Sequence, residues 1–302
     1  MSEQSSQALR FSSRIDGWSI GAALIAAMVL LPVMAVVWLA FHPTENIWPH
    51  LLSTTLPRYM TNTLVMMAGV GVLTATIGTG AAWLVVNYRF PLHAVLQWAL
   101  LLPLAVPAYV AAYALVDFLE YAGPVQTGLR SLFGWTNAAD YWFPPIRTRG
   151  AAILVLSGAL YPYVYLLARA AFREQSGAGF EVARALGVGP FGRFRRVGLP
   201  LARPAIAAGV AIVMMETVAD FGAVDHFAVQ TLTTGIFSVW MQAGNLGGAA
   251  QLSTVVLILI VALVTMEKVS RRRSRHFGTA RGLRPIAPVK LDGWRGSLAM
   301  LA

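Results

Sequence analysis

The sequence predicts an all-α membrane protein of six transmembrane helices with both termini in the cytoplasm, on three observations. First, the 302 residues are 57% hydrophobic and 12% charged, against about 25% charged in soluble domains. Second, the apolar residues fall in continuous runs long enough to cross a bilayer, without the alternation of spanning strands. Third, of the 23 Lys and Arg only Arg58, Arg130, Arg147 and Arg149 fall in the segments assigned to the outside. That asymmetry follows the positive-inside rule.

The spans are expected at about 17–41, 60–86, 95–119, 151–172, 204–220 and 252–268. The first follows a polar tail, 1–16, and exceeds the length of a signal-peptide core, so it reads as an uncleaved helix. Pro32, Pro103, Pro107 and Pro162 lie inside runs, where neighbouring groups re-satisfy the freed carbonyls. "PLAVPAY", Pro103–Tyr109, marks a kinked or broken helix. In the outer 121–150 loop, Trp135, Tyr141, Trp142 and Phe143 read either as interfacial anchors or as the core of a small lid over the outer mouth. The net charge of +10 reflects basic loops beside anionic lipid, and no nucleic-acid partner is implied. With no cysteine in the chain, disulfides and thiolate chemistry are excluded.

The largest internal cytoplasmic segment, about 173–203, contains "EVARALGVGPFGRFRRVGLP", Glu181–Pro200. Phe180, Ala183 and Leu186 recur at helical spacing, and Gly187 suits the left-handed turn that ends a helix. Pro190 fits a first helical position. A second short helix follows, with Phe191, Phe194 and Val197 on one side and Arg193 and Arg196 on the other. Leu199–Pro200 is expected to end it, and Pro204 to open the next span. A short helix with two phenylalanines on one face can lie on lipid headgroups or dock into a partner's groove.

Glu181, Ala183, Gly187, Val197, Leu199 and Pro200 have the order and spacing of the EAA loop of ATP-binding-cassette (ABC) importer permeases: E-A-A, three residues, G, nine residues, I-x-L-P. Val182 replaces the first alanine and Val197 the isoleucine. The resemblance implies a type I importer permease fold, with the loop as the coupling helix that sits in a cleft of a cytoplasmic ATPase subunit. Glu181, Ala183, Gly187, Phe191, Phe194, Leu199 and Pro200 are then the ATPase-coupling residues. ATP would be bound by that partner and no cofactor by this chain. An extracytoplasmic solute-binding protein would deliver the cargo.

"METVADFGAVDHFAVQTLTTGIFSVW", Met215–Trp240, together with the loop, is similar to the ferric-iron type of these permeases, which commonly fuse two six-helix halves. One EAA loop and one set of spans are present here. Residues 269–302 read as a basic linker ending in "WRGSLAMLA", the start of a possible seventh span. The chain thus resembles the N-terminal half of a fused permease. The alternative is a half-size subunit that pairs with a second copy.

Glu216 and Asp220 lie four residues apart, on one face of the fifth span near its outer end. Asp117 and Glu120 end the third span on the same side. Intramembrane acids face a cavity or a partner rather than lipid, and oxygen ligands suit a hard cation such as ferric iron. These four are the candidate substrate path. The competing reading is structural, with the acids pairing with Arg130, Arg147 or Arg149 or capping helix ends. Thiamine and polyamines are further cationic cargoes of similar permeases. The histidines show no metal-ligand spacing. The chain lacks a His-Glu-x-x-His and a Gly-rich phosphate loop, and its lone Asp-Phe-Gly triplet, Asp220–Gly222, has none of the other kinase parts. An enzyme is not expected. A channel or structural subunit would have no need of the EAA loop.

Overall fold

The computed structural model describes residues 17–272, 288–291 and 293–301. The expected tail, 1–16, and most of the basic linker, 273–287, lie outside the described residues. The helices are α1 (Gly17–Phe41), α2 (Trp48–Ser53), α3 (Leu56–Asn87), α4 (His93–Ala99), α5 (Ala108–Leu119), α6 (Pro124–Phe133) and α7 (Arg149–Arg173). They continue with α8 (Gly177–Ala185), α9 (Pro190–Arg193), α10 (Leu199–Ala219), α11 (Gly222–His226), α12 (Leu232–Phe237), α13 (Leu246–Arg272) and α14 (Trp294–Leu301). The strands β1 (Tyr88–Arg89) and β2 (Val289–Lys290) pair in parallel. This pairing returns α14 to the end of α3.

Five helices among the described residues are long and apolar enough to cross a membrane, and a bent pair makes a sixth. The bend is the expected break at Pro103–Tyr109. After α4 comes a 3-10 turn, Leu102–Ala105, and then Val106 is extended at φ −107°, ψ 116°. Pro107 forces this, because its ring disfavours the α region for the residue before it. The segments on either side meet at 89°, so the third run is an elbow.

The fifth span also departs from expectation. Leu199–Pro200 does not stop the chain. Pro190–Ala219 is continuous and long enough to span, and a π-turn, Phe194–Gly198, joins α9 to α10. Proline has no N–H to donate and its ring crowds the preceding turn. Widening that turn, so that Leu199 N–H bonds to Phe194 O, lets the helix run through.

The bundle's centre is α3, α7 and α10, each packed on the other two, with α1 and α13 paired beside them. Apolar attraction gives little net drive between helices in lipid, so close approach through small residues matters. A Cβ on Gly78 of α3 or Gly209 of α10 would press into the Val164 turn of α7. One core cluster holds Met66, Val70, Val116, Leu156, Val213 and Phe227. A second, at the end that carries Arg169–Arg203, holds Trp83, Phe90, Tyr165, Phe172 and Phe180. That end is termed the basic end, and the one carrying Glu216 and Asp220 the acidic end.

Candidate functional sites at the two ends of one helix

At the basic end the first helix of the 173–203 segment starts and stops where the residue pattern places it. Ser176 Oγ accepts from Ala178 N–H at 3.2 Å to start α8. Gly187, at φ +74°, ends it: Gly187 N–H bonds to Arg184 O and Val188 N–H to Ala183 O. That bond pair is the Schellman stop.

The inward face of the loop is fixed to the bundle. Phe180 and Ala183 are buried. The Trp83 ring of α3 gathers Phe194 at 5.1 Å, Phe172 at 5.3 Å and Phe180 at 5.8 Å. Gly198 lies flush on the same indole, with no room for a Cβ. Gln175 Nε2 donates to Gly198 O at 3.0 Å. Phe194 therefore packs on the chain's own core, and the expectation of two phenylalanines both seeking an outside partner is corrected. Phe191 touches Phe194 at its edge, 6.4 Å between rings, but is 73% exposed, with Leu186 at 77% and Val182 at 61%. Glu181 and Gly187 are exposed beside them. Ala183, Leu199 and Pro200 contribute from within the fold, Ala183 as a buried contact and the other two as the start of α10.

α10 connects this loop to the acidic end. Glu216 and Asp220 share a cavity of about 250 Å³ with Pro103, Val106, Pro107 and Tyr163, so the elbow opens onto them. The Glu216 side is exposed. Asp220 Oδ1 accepts from Ala223 N–H at 3.0 Å and Val224 N–H at 3.1 Å, which makes it the cap of α11 as well as a wall of the cavity. Glu120 is elsewhere: it accepts from Arg147 Nε at 2.7 Å, and Arg147 also donates to His226 O. Asp117 is exposed. The four acids form no single cluster. Among the described residues no three His, Cys, Asp or Glu side chains come together to hold a metal ion.

Beyond the elbow, residues 120–148 carry α6 and a loop packed on it. Trp135 stacks on Tyr141 at 4.7 Å and on Phe133 at 4.8 Å. Tyr141 donates to Gln126 at 2.6 Å and accepts from Arg130 at 2.9 Å. Those two aromatics pack on each other within this segment, whereas Trp142, 83% exposed, is free to act as an anchor. Asp140 Oδ2 accepts from the backbone N–H of Thr136 and Asn137, and these bonds hold its carboxyl below the usual range.

Residues 70–275 match the family described as binding-protein-dependent transport system inner membrane component. The chain belongs to this family. Its members are permeases of ABC importers, not enzymes, with the ATPase on separate subunits. The chain is 26% identical over 224 residues to the Fe(3+)-transport system permease protein FbpB 2 of Haemophilus influenzae, covering 74% of this chain and 40% of that one. It is 28% identical over 203 residues to the molybdenum permease ModB of Escherichia coli K12, covering 64% of this chain and 85% of that one. Against a probable sulfate permease, cysT of Nephroselmis olivacea, identity is 26% over 266 residues, covering 85% and 90%. The chain thus spans less than half of the iron permease and most of the oxyanion permeases. A bacterial alginate ABC transporter crystallised with its periplasmic protein shares the fold, at a TM-score of 0.68 and 17% identity over 87% of this chain and 96% of that one.

The sequence reading missed Trp83, the receiver of the whole loop, and the exposed Val182, and it set Leu186 with the inward residues. Nothing marks Trp83 among nine tryptophans. Val182 was readable as outward once Phe180 and Ala183 were set inward, whereas Leu186, grouped with those two by its spacing, is instead exposed because the helix ends before it.

Proposed function

We propose that this permease takes up a cationic solute, ferric iron first among them, and is driven by a cytoplasmic ATPase docked on α8 and α9. The observation that carries the docking is the patch of Val182, Leu186 and Phe191, exposed on a loop whose other face is fastened to Trp83. Such a patch at a polar surface is the mark of a partner's groove. The basic end is then cytoplasmic, as the positive-inside rule requires. Force applied to α8 passes through Phe180 and Phe194 to Trp83, and through the π-turn directly into α10. From Leu199 to Glu216 that helix carries the displacement over about 25 Å, at 1.5 Å per residue. The acidic cavity at the elbow thereby moves with the loop.

The carboxylates of Glu216 and Asp220 support a cation entering from a solute-binding protein at the acidic end. The likeness to molybdenum and sulfate permeases favours a second reading, an oxyanion cargo, for which those two acids would be structural. A second permease surface, from another half or another copy, completes the pathway. The open face of α10 and α13, a groove of about 550 Å³ bordered by Val210, Met214, Leu263 and Met266, is where it would pack.

The test is co-purification of the full chain with its ATPase in detergent, wild type against Leu186→Asp with Phe191→Ser. Both side chains are exposed, so folding is spared. Recovery of the ATPase with wild type and its loss with the variant is the expected result. Equal recovery from both would remove α8 and α9 as the docking site.

A further inference from the structure

Arg169 stands one turn before the C-terminal end of α7 and is 8% exposed. Arg173 follows four residues on, on the same helix face. The Arg147–Glu120 ion pair lies at the opposite end, and among the described residues no carboxylate pairs with Arg169 or Arg173. The neighbours of Arg169 are neutral. Its Nη2 donates to Gln97 Oε1 at 2.7 Å. Its Cζ lies 5.7 Å from the Trp98 ring and 5.8 Å from the Tyr165 ring. Tyr165 donates to Gln97 O at 3.0 Å, fastening α4 to α7. The Nε of Arg169 is enclosed with no acceptor.

A guanidinium does not shed its proton. Buried among amides and rings, with a second cation four residues away and no carboxylate beside it, it lacks an anion. The surface beside it says which kind. Leu92, Val95, Trp98 and Leu102 are each more than 60% exposed and recur every three to four residues along α4 and the turn after it. On helices that span a bilayer such a stripe would face acyl chains, and an exposed indole beside a basic cluster suits the border with the headgroups. An anion that reaches Arg169 alongside acyl chains is a lipid phosphate.

We propose that Arg169 and Arg173, with Gln97 and Trp98, hold the phosphate of an anionic phospholipid at the seam of α4 and α7, in the leaflet at the basic end. The inference rests on the helices spanning a bilayer, and not on which solute is carried or on ATPase docking.

The experiment uses the full chain, delipidated in detergent, with native mass spectrometry and thermal unfolding. Phosphatidylglycerol is added, or phosphatidylcholine, or inorganic phosphate. Phosphatidylglycerol should be retained as an adduct and raise the melting temperature, while the other two do neither. Arg169→Gln and Arg173→Gln should each weaken phosphatidylglycerol retention about fivefold, the effect of one basic residue at an anionic surface, and Arg195→Gln should not. If Arg169→Gln does not fold, Arg173→Gln and Trp98→Ala carry the test. Retention unchanged in these variants, or equal for both lipids, overturns the proposal. Inorganic phosphate stabilising as well as phosphatidylglycerol overturns the lipid source and leaves a free oxyanion.

Discussion

Two glycines of the same loop do different work, and substitution separates them. Gly187 is needed for its backbone: at φ +74° with open space around it, alanine would meet no neighbour but would pay the left-handed penalty of about 1–2 kcal/mol. Gly198 is needed for its missing side chain, since a Cβ there drives into the Trp83 indole. Gly187→Ala should lower the melting temperature by a few degrees while the loop stays fastened to Trp83. Gly198→Leu should cost more, about 1–3 kcal/mol of overpacking, and should loosen the loop itself, read as faster proteolysis within 176–198. Equal effects of the two would mean that Trp83 is not the anchor. Gly187 was legible in the sequence because a helix stop has a local pattern. Gly198 was not, because its reason lies on a helix more than a hundred residues earlier.

At the scale of elements, the 120–148 segment is held by polar contacts that respond to pH and charge. Asp140 is ionised below its ordinary range by the Thr136 and Asn137 amides. A carboxyl with a depressed folded pKa lends stability above its unfolded value and loses it as pH falls through the folded one. The 136–140 turn should therefore stay closed from neutral pH down to the ordinary aspartate value of 3.8 and open below it. Hydrogen exchange at Thr136 and Asn137 in wild type and in Asp140→Ala checks this: the variant should exchange quickly at neutral pH. The Glu120–Arg147 pair is half exposed on both sides, so removing it should cost no more than about 1 kcal/mol. Apolar run length and prolines were enough to foresee the spans and the break in the third. They could not foresee that α9 would run into α10, because the π-turn depends on Trp83 fixing Phe194 and Gly198 while Pro200 withholds its N–H.

For the whole molecule, the informative geometry is that α10 carries the proposed docking loop at one end and the acidic cavity at the other. The two functions can be cut apart by mutation. Glu216→Gln with Asp220→Asn keeps a side-chain oxygen at 220 to accept from Ala223 and Val224, so the cap of α11 survives. If the cavity passes a cation, this double variant should bind its ATPase normally, hydrolyse ATP when the loaded binding protein is added, and lose at least about tenfold in uptake of radiolabelled ferric iron, the loss expected when ~1.4 kcal/mol of differential interaction is removed. The paired variant Glu120→Gln should transport like wild type, since Arg147 rather than the pathway occupies that carboxylate. Unchanged iron uptake, or uptake of sulfate or molybdate by wild type in place of iron, would assign the two acids to the fold and give the oxyanion reading its ground. Loss of ATPase binding in the double variant would instead mean that the two ends of α10 are not separable, and that the cavity helps hold the loop in its docking position.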